Sequence, residues 1–337
     1  MRQLLISFIL LSLTACDRSS LTEFTVRGET MGSTYSIIYL DSAGRDLGTA
    51  LDSMLVEFNA VFSTYDTSSV ISAFNASDTG IALIGEQLEW FRRLFAVSDE
   101  VHAIHNGAFN PAIGPLVQYW GFYNKQESLE AEPPQDEIDS LLAISRYELV
   151  HLDQQFLVKD DPAVRLDVNA IAPGFAADLL GEFLETKGIH RYMIEIGGEI
   201  RARGLNSRNT GWTVGIRKPE ELSAQLVSTI TLNDLSLATS GNYNKYVVVD
   251  GRKMGHTIDP HTGRPAVNEL LSATLITRNC MHADALATVC MVGGFEQAKE
   301  LILRQESLEG YLIYSDEAGK MATWISPGME DLIREVQ

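Results

Sequence analysis

"RLDVNAIAPGFAADLLGEFLETKGIHRYMIEIGGEIRARG", residues 165–204, is the stretch that sets the class of fold. A short apolar run ends at Asp167 and reads as a strand. Pro173 suits the first turn of a helix, where its missing N–H costs nothing, and the helical pattern runs to about Lys187. "YMIEI" (192–196) then alternates as a strand does, and Gly197-Gly198 turns the chain back. That turn is either a plain hairpin or a place where a flat ligand meets the main chain.

Working outward, strand-like runs recur at "WTVGIRK" (212–218), "LVSTITL" (226–232), "KYVVVDG" (245–251) and "LLSATLIT" (270–277). A helix from about Met281 to Val292 is stopped by Gly293-Gly294, and one more helix and the strand "YLIYSD" (311–316) close the chain. Upstream, "GETMGSTYSI" (28–37) reads as a flexible, hydroxyl-rich loop running into a strand. "LDSMLVEFNAVFSTY" (51–65) and "EQLEWFRRLFAVSDEVHAIHNG" (86–107) space their apolar residues as helices do. "FNPAIGPLVQYWGF" (109–122) is a punctuated loop with a short helical centre, and the acidic stretch 124–139 reads as an exposed surface excursion. Together these predict an α+β fold, mostly antiparallel sheet with helices packed on it, as a single globular domain over residues 24–337.

The formal net charge of -19 argues against nucleic acid as a partner, because phosphate neutralisation needs a basic footprint. An anionic ligand would need a metal ion or backbone amides to offset the charge. At the N-terminus, "MRQLLISFILLSLTAC" has a basic residue, a short apolar run and then small residues before Cys16. The run is too short to span a bilayer and fits a signal peptide over residues 1–15. "LTAC" resembles a lipobox, which implies acylation of Cys16 and a lipidated tether over residues 16–23. Asp17 resembles an inner-membrane retention signal, so the expected location is the periplasmic face of the inner membrane. The remaining cysteines, Cys280 closing a strand-like run and Cys290 within a helical one, could pair in an oxidising compartment, but their settings favour two buried thiols.

Four stretches carry chemistry. In "HADALATVCMVGG" (282–294), Asp284 and Thr288 are four apart and share one helix face. A carboxylate beside a hydroxyl suits a hard cation such as Mg²⁺, although a Thr bonded to its own helix backbone is the plainer reading. In "DVNAIAPGFAAD" (167–178), small residues precede and line a helix N-terminus, whose free N–H groups suit a phosphate. "IEIGGEIRARG" (194–204) carries the Gly-Gly turn. In "GHTIDPHTGRP" (255–265), a loop places His256, Asp259 and His261 together, and a loop His beside an Asp can act as a general base near neutral pH. No Walker P-loop, dinucleotide-binding GxGxxG or GxSxG elbow occurs.

Taken in order, "ETMGSTYSI", "STYDTSSVISAFN", "FNPAIGPLVQYWGF", "DVNAIAPGFAAD", "IGGEIRARG", "ATSGNY", "GHTIDPHTGRP" and "HADALATVCMVGG" resemble the blocks of the ApbE family of flavin transferases. The resemblance spans about residues 24–325 and implies an ApbE-like, T-fold-related domain. It implies an enzyme that cleaves FAD with Mg²⁺ and joins FMN through a phosphoester to a Thr of an acceptor flavoprotein, releasing AMP. Acceptors in the family include subunits of sodium-pumping or electron-transport membrane complexes with a short Thr-containing motif. Some relatives hydrolyse FAD to FMN and AMP instead, and a flavin-binding lipoprotein without turnover is a further alternative. By the same resemblance Asp284, Thr288 and the Ala172 carbonyl are the metal ligands, and His256 lies near the reacting phosphate and assists deprotonation of the acceptor Thr. Met31, Ser63, Tyr65, Asn110, Asp167, Gly198, Ser240, His256 and Ile258 match positions that line the flavin or adenine. Where the family usually has Lys or Glu, this chain has Pro173.

Overall fold

A computed structural model describes residues 21–123, 132–219, 225–242 and 246–335. The chain begins with β1 (Thr22–Thr30) and β2 (Ser33–Asp41), then α1 (Gly48–Phe62) and α2 (Val70–Ala76). β3 (Gly80–Ala82) leads into α3 (Gly85–Ile104), α4 (Gly114–Tyr119) and α5 (Gln135–Ala143). β4 (Val150–Asp153) and β5 (Phe156–Lys159) precede α6 (Ala172–Thr186). β6 (Tyr192–Ile196), β7 (Glu199–Arg203), β8 (Trp212–Arg217), β9 (Leu226–Leu232) and β10 (Leu235–Gly241) follow. Short ladders β11 (Tyr246–Val249), β12 (Arg252–Gly255), β13 (Ile258–Asp259) and β14 (Arg264–Pro265) lead to β15 (Leu270–Thr277) and α7 (Cys280–Arg304). β16 (Glu309–Ser315), β17 (Met321–Ile325) and β18 (Ile333–Glu335) come last.

The main sheet runs β1-β2-β6-β7-β10-β15-β16-β17 with every pairing antiparallel. Its strands alternate faces, and both faces are covered. Ile37, Tyr39, Ile194 and Ile196 point to the helices; Leu40, Ile200, Leu237 and Ile313 point to the small sheet β18-β9-β8. On the helical side, Phe58, Phe62, Trp90, Phe91 and Phe175 from α1, α3 and α6 form one aromatic cluster, with centroids as close as 4.9 Å. Such pairs add about 0.5–1.5 kcal/mol each beyond their buried area. A third apolar cluster, including Leu116, Trp120, Ile138, Val249 and Ile258, holds the β11–β14 segment against α4 and α5.

The predicted α+β antiparallel class is the observed one, with local corrections. Residues 28–37 are a β-hairpin and not a flexible loop: Thr30 pairs with Ser33, and Met31 (φ 51°) and Gly32 (φ 70°) make the two-residue turn. Both positive φ values match the right-handed twist of the strands they join. Thr22 and Glu23 already belong to β1. The run ending at Asp167 is extended but joins no sheet; the Asp167 amide donates to Pro111 O instead. Residues 135–139 open α5, which buries Ile138, whereas 124–131 lie outside the described residues. Cys280 starts α7 instead of ending a strand, and it and Cys290 are buried thiols. α7 covers both predicted C-terminal helices, broken at Gly294 (φ 77°). Two strands follow "YLIYSD". Residues 1–20, with Cys16 and most of the tether, lie outside the described residues.

Candidate active site

Strand register gathers three of the predicted residues at one end of the main sheet. Tyr35 opposes Ile196, and Gly197 N–H donates to Thr34 O at 3.0 Å, so the Met31-Gly32 turn and the Gly197-Gly198 turn sit side by side. Leu237 opposes Ile200 across β7 and β10, which brings Ser240, three residues on, level with Gly197. No heavy atom lies within 4 Å of where a Cβ on Gly32 or Gly198 would sit. The two turns therefore leave open room at the sheet end, where a ligand can approach the main chain. Met31 is a non-glycine residue at positive φ, a conformation that a bulky side chain adopts rarely.

Helix α7 climbs to the same end. Its first residue, Cys280, has its sulfur 3.4 Å from Ile200 O, and Phe295 N–H donates to Glu269 Oε1, beside the start of β15. A rise of about 1.5 Å per residue carries Thr288 about 12 Å beyond Cys280. A strand rise of about 3.4 Å carries Ser240 about 10 Å beyond Leu237. Asp284 and Thr288 thus lie alongside the strand that presents Ser240.

The first turn of α6 meets α7 at Asp284. Ile171, the N-cap residue, offers no side-chain cap, and the Gly174 N–H donates to Asp284 Oδ2 at 3.0 Å. A Cβ on Gly174 would lie 2.5 Å from Cys280 O, so the close approach of the helices requires glycine there. Ala172 opens this same turn and is buried. Asp284 is 5% exposed. Burial, and then the charge of Asp178, push its carboxyl up to about 7, against the opposing Gly174 amide. Asp178 is buried too, but it bonds Arg201 at 2.8 Å and accepts the Cys280 and Met281 amides. Arg201 is thereby committed to Asp178 and Glu185. Among the described residues, Asp284 has no cationic partner and its second oxygen takes no hydrogen bond.

The Thr288 hydroxyl is half-buried and makes no hydrogen bond to the described residues, so it is not bonded back to its own helix. A buried carboxylate lacking a counter-charge, one turn from a free hydroxyl and beside the Ala172 turn, fits a hard divalent cation that keeps other positions for water or phosphate. Among the described residues no group of three His, Cys, Asp or Glu side chains could hold a metal, which leaves a mixed oxygen set as the available kind.

A second group brings the predicted Tyr65 and Asp167 together around Tyr123, which the sequence reading passed over. Tyr123 donates to Asp167 Oδ2 at 2.7 Å and meets the Tyr65 ring edge-on at 5.8 Å. Burial and the Asp167 charge hold its phenol well above the ordinary range, so it remains a donor. Ser63 ends α1; its carbonyl accepts from Ser69 and Ser72, and its hydroxyl accepts the Asp66 amide, which fixes the loop bearing Tyr65. The adjacent Phe122 faces His256, rings perpendicular at 6.5 Å. Residues 122–123 thus join the Tyr65–Asp167 group to the His256 loop.

That loop carries both histidines. Both His261 nitrogens are engaged, by Asp259 at 2.9 Å and by Asn106 O at 2.6 Å. The Asn106 carbonyl foremost holds His261 above its ordinary value. His256 is half-buried beside Phe122, and Ile258 packs inward on the third apolar cluster. Asn110 is used locally: its amide donates to Ser145 O and accepts from Ala112 N–H. It lines an open cleft of about 450 Å³ with Asn106, Arg146, Glu148 and His261.

Comparison with known proteins gives the same class. Residues 31–312 match the ApbE family. The FAD:protein FMN transferase of Vibrio cholerae is 35% identical, with 86% of each chain covered. That of Escherichia coli is 34% identical, covering 93% of this chain and 90% of the relative. The solved structure of a flavin transferase from Vibrio cholerae superposes with a TM-score of 0.80 at 31% identity, over 93% of this chain and 99% of that one.

Proposed function

The chain belongs to the ApbE family, and we propose that it is an FAD:protein FMN transferase. It would move FMN from FAD to a Thr hydroxyl of an acceptor flavoprotein and release AMP. The observation that carries the reading is the buried Asp284 carboxylate, which has no cationic partner among the described residues and is held on the first turn of α6, level with the open turns at Gly32 and Gly198.

Asp284, Thr288 and the Ala172 carbonyl would hold Mg²⁺. The ion, when bound, would offset the charge of the FAD pyrophosphate in a chain of net charge -19. The open turns at Met31 and Gly198, with Ser240 beside them, line the flavin. Ser63, Tyr65 and Asp167 position the remainder of FAD, and the Tyr123 hydroxyl fixes the Asp167 carboxylate for that task. The Asn110 and Ile258 segments contribute main chain. His256 takes the proton of the acceptor Thr as its oxygen attacks the FMN phosphorus; the bond from that phosphorus to the bridging oxygen breaks, and AMP carries that oxygen away.

Acylation at Cys16 would fix the protein to the periplasmic face of the inner membrane, within reach of Thr-bearing subunits of sodium-pumping or electron-transport complexes. The reaction is tested with FAD, Mg²⁺ and a Thr-bearing acceptor domain. Covalent fluorescent flavin on the acceptor is expected. FMN and AMP without an adduct would make the protein an FAD pyrophosphatase, and bound, intact FAD would make it a carrier.

A further inference from the structure

The loop that carries His256 is fastened to three helices. At the end of α4, the Trp120 indole N–H donates to Gly263 O at 2.8 Å. At the start of α5, Arg264 holds Glu132, Pro133 O and Gln135. The tie to α3 is made by His261, and it places a demand on that ring which the other two do not make. His261 Nδ1 lies 2.9 Å from Asp259 Oδ1, and Nε2 lies 2.6 Å from Asn106 O. Both partners are acceptors. A backbone carbonyl has no proton to give, and Asp259 already accepts the His261 amide on Oδ1 and the Thr262 hydroxyl on Oδ2. A neutral imidazole has one N–H, so one of its nitrogens would face an oxygen lone pair with a lone pair of its own. Only the imidazolium donates to both.

The surroundings favour that charge. Asn106 (φ 51°) and Gly107 (φ 82°) turn the chain away just past the last residue of α3, and the carbonyl end of a helix attracts a cation. The charged and titratable groups around the ring are Asp259 and Arg264 on its own turn, His102 and His105 at the end of α3, and Arg146 and Glu148 across the cleft. Arg264 is engaged at α5, and Glu148 lies 3.5 Å from His102 and 3.8 Å from Arg146. Burial holds His105 below its ordinary value, so it adds no like charge near neutral pH. The Asn106 carbonyl, with Asp259 behind it, holds His261 above its ordinary value against partial burial.

We propose that His261 is a protonation-dependent latch: as an imidazolium it ties the loop bearing His256 and Ile258 to the end of α3, and loss of one proton releases the tie. Asp259 is two residues away and keeps the remaining N–H, so the Asn106 contact is the one that opens. The latch is closed below the His261 midpoint and opens as pH rises through it. His261 is a positioning residue that acts through the loop, so its effect on the flavin rests on the flavin-transfer reading above.

The test follows the Cε1 resonance of His261 in the full chain labelled with ¹³C-histidine, together with amide exchange of residues 257–266 at pH 6 and pH 9, corrected for intrinsic rates. His261 should titrate with a midpoint above the ordinary value of about 6.5. Protection of the loop should fall by about threefold or more from pH 6 to pH 9, as loss of one hydrogen bond implies. His261→Arg, a permanent cation with donors for both oxygens, should stay protected at both pH values, and His261→Leu should be unprotected at both. The FAD dissociation constant of the wild type relative to His261→Arg should rise by about threefold over the same range. A His261 midpoint at or below about 6.5, or a wild-type loop that exchanges like the Leu variant at pH 6, overturns the latch. A protein with the protonation-dependent loop that binds no FAD overturns the flavin reading and leaves the latch standing.

Discussion

Asp284 on α7 accepts the amide hydrogen of Gly174, at the third position of α6, over 3.0 Å. The residue assigned to metal binding is therefore also the cap that α6 lacks in its own sequence. Structural and chemical roles at this position can be separated by substitution.

Asp284→Asn keeps an oxygen that can accept the Gly174 N–H, whereas Asp284→Ala removes the cap. Both variants should lose FMN transfer by about 100-fold or more, since the cation's contribution is worth several kcal/mol. Only the Ala variant should also lose about 1 kcal/mol of stability. Transfer rates and denaturant midpoints of the two proteins check this, and an Asn variant that transfers flavin at the full rate removes Asp284 from the metal site.

The pH dependence of the metal-free protein follows from the raised Asp284 carboxyl. Its folded-state value, about 7, exceeds its unfolded one, so the unfolded chain ionises first as pH rises. The contribution of this one carboxyl to stability is full below about pH 4, is lost as pH rises through about 7 and then levels off. Mg²⁺ needs the carboxylate, so its stabilisation should grow over the same window. Thermal melts at pH 5 and pH 8, with and without Mg²⁺, should show the larger metal-induced rise in Tm at pH 8.

Gly174→Ala places a methyl group 2.5 Å from Cys280 O and 2.9 Å from the Asp284 Cβ. The helices must separate to admit it, at a cost of about 1–3 kcal/mol. Calorimetry should show a lower Tm, and Mg²⁺ affinity should fall with it because Asp284 moves from the α6 turn.

His256→Ala should reduce turnover by about 100-fold or more and lower FAD affinity far less, as expected of a group that moves a proton beside the bound nucleotide. His261→Ala removes a link between the loop and Asn106, so it should lower stability more than turnover. Equal loss of turnover in both proteins would count against His256 as the base.

Met31 occupies a backbone conformation that Asn tolerates better. Met31→Asn gains backbone ease and loses partial packing on the main core, so Tm should shift by only about 2 °C. FAD affinity should drop by about tenfold, a loss of roughly 1.4 kcal/mol, measured by flavin fluorescence titration.

The sequence made the strongly periodic elements legible. α1, α3, β6, β9 and β15 lie where apolar spacing put them, because each buries a single face or pairs with a near neighbour. The Met31-Gly32 hairpin was missed because its turn lacks the usual Asn-Gly or Asp-Gly signal. The run before Asp167 alternates like a strand, yet its amide is satisfied by Pro111, a partner fixed only by the folded loop. α5 was hidden by an acidic surface around one fully buried residue, Ile138. At the candidate site, helical spacing put Asp284 and Thr288 on one face, and the family resemblance, not the spacing, marked them as metal ligands. Tyr123 and the Asp178–Arg201 pair gave no local sign, since their roles depend on partners 44 and 23 residues away.

Cys280 and Cys290 are buried on α7, and burial pushes the Cys290 thiol up to about 12. Neither sulfur reacts until the helix leaves its packing, so their alkylation reports how often α7 opens. Cys280 lies against Gly174 and one turn before Asp284, so its labelling rate is a native stopwatch for the α6–α7 seam. A ligand that binds only the closed seam should slow that clock in proportion to its concentration above its Kd, with no engineered probe.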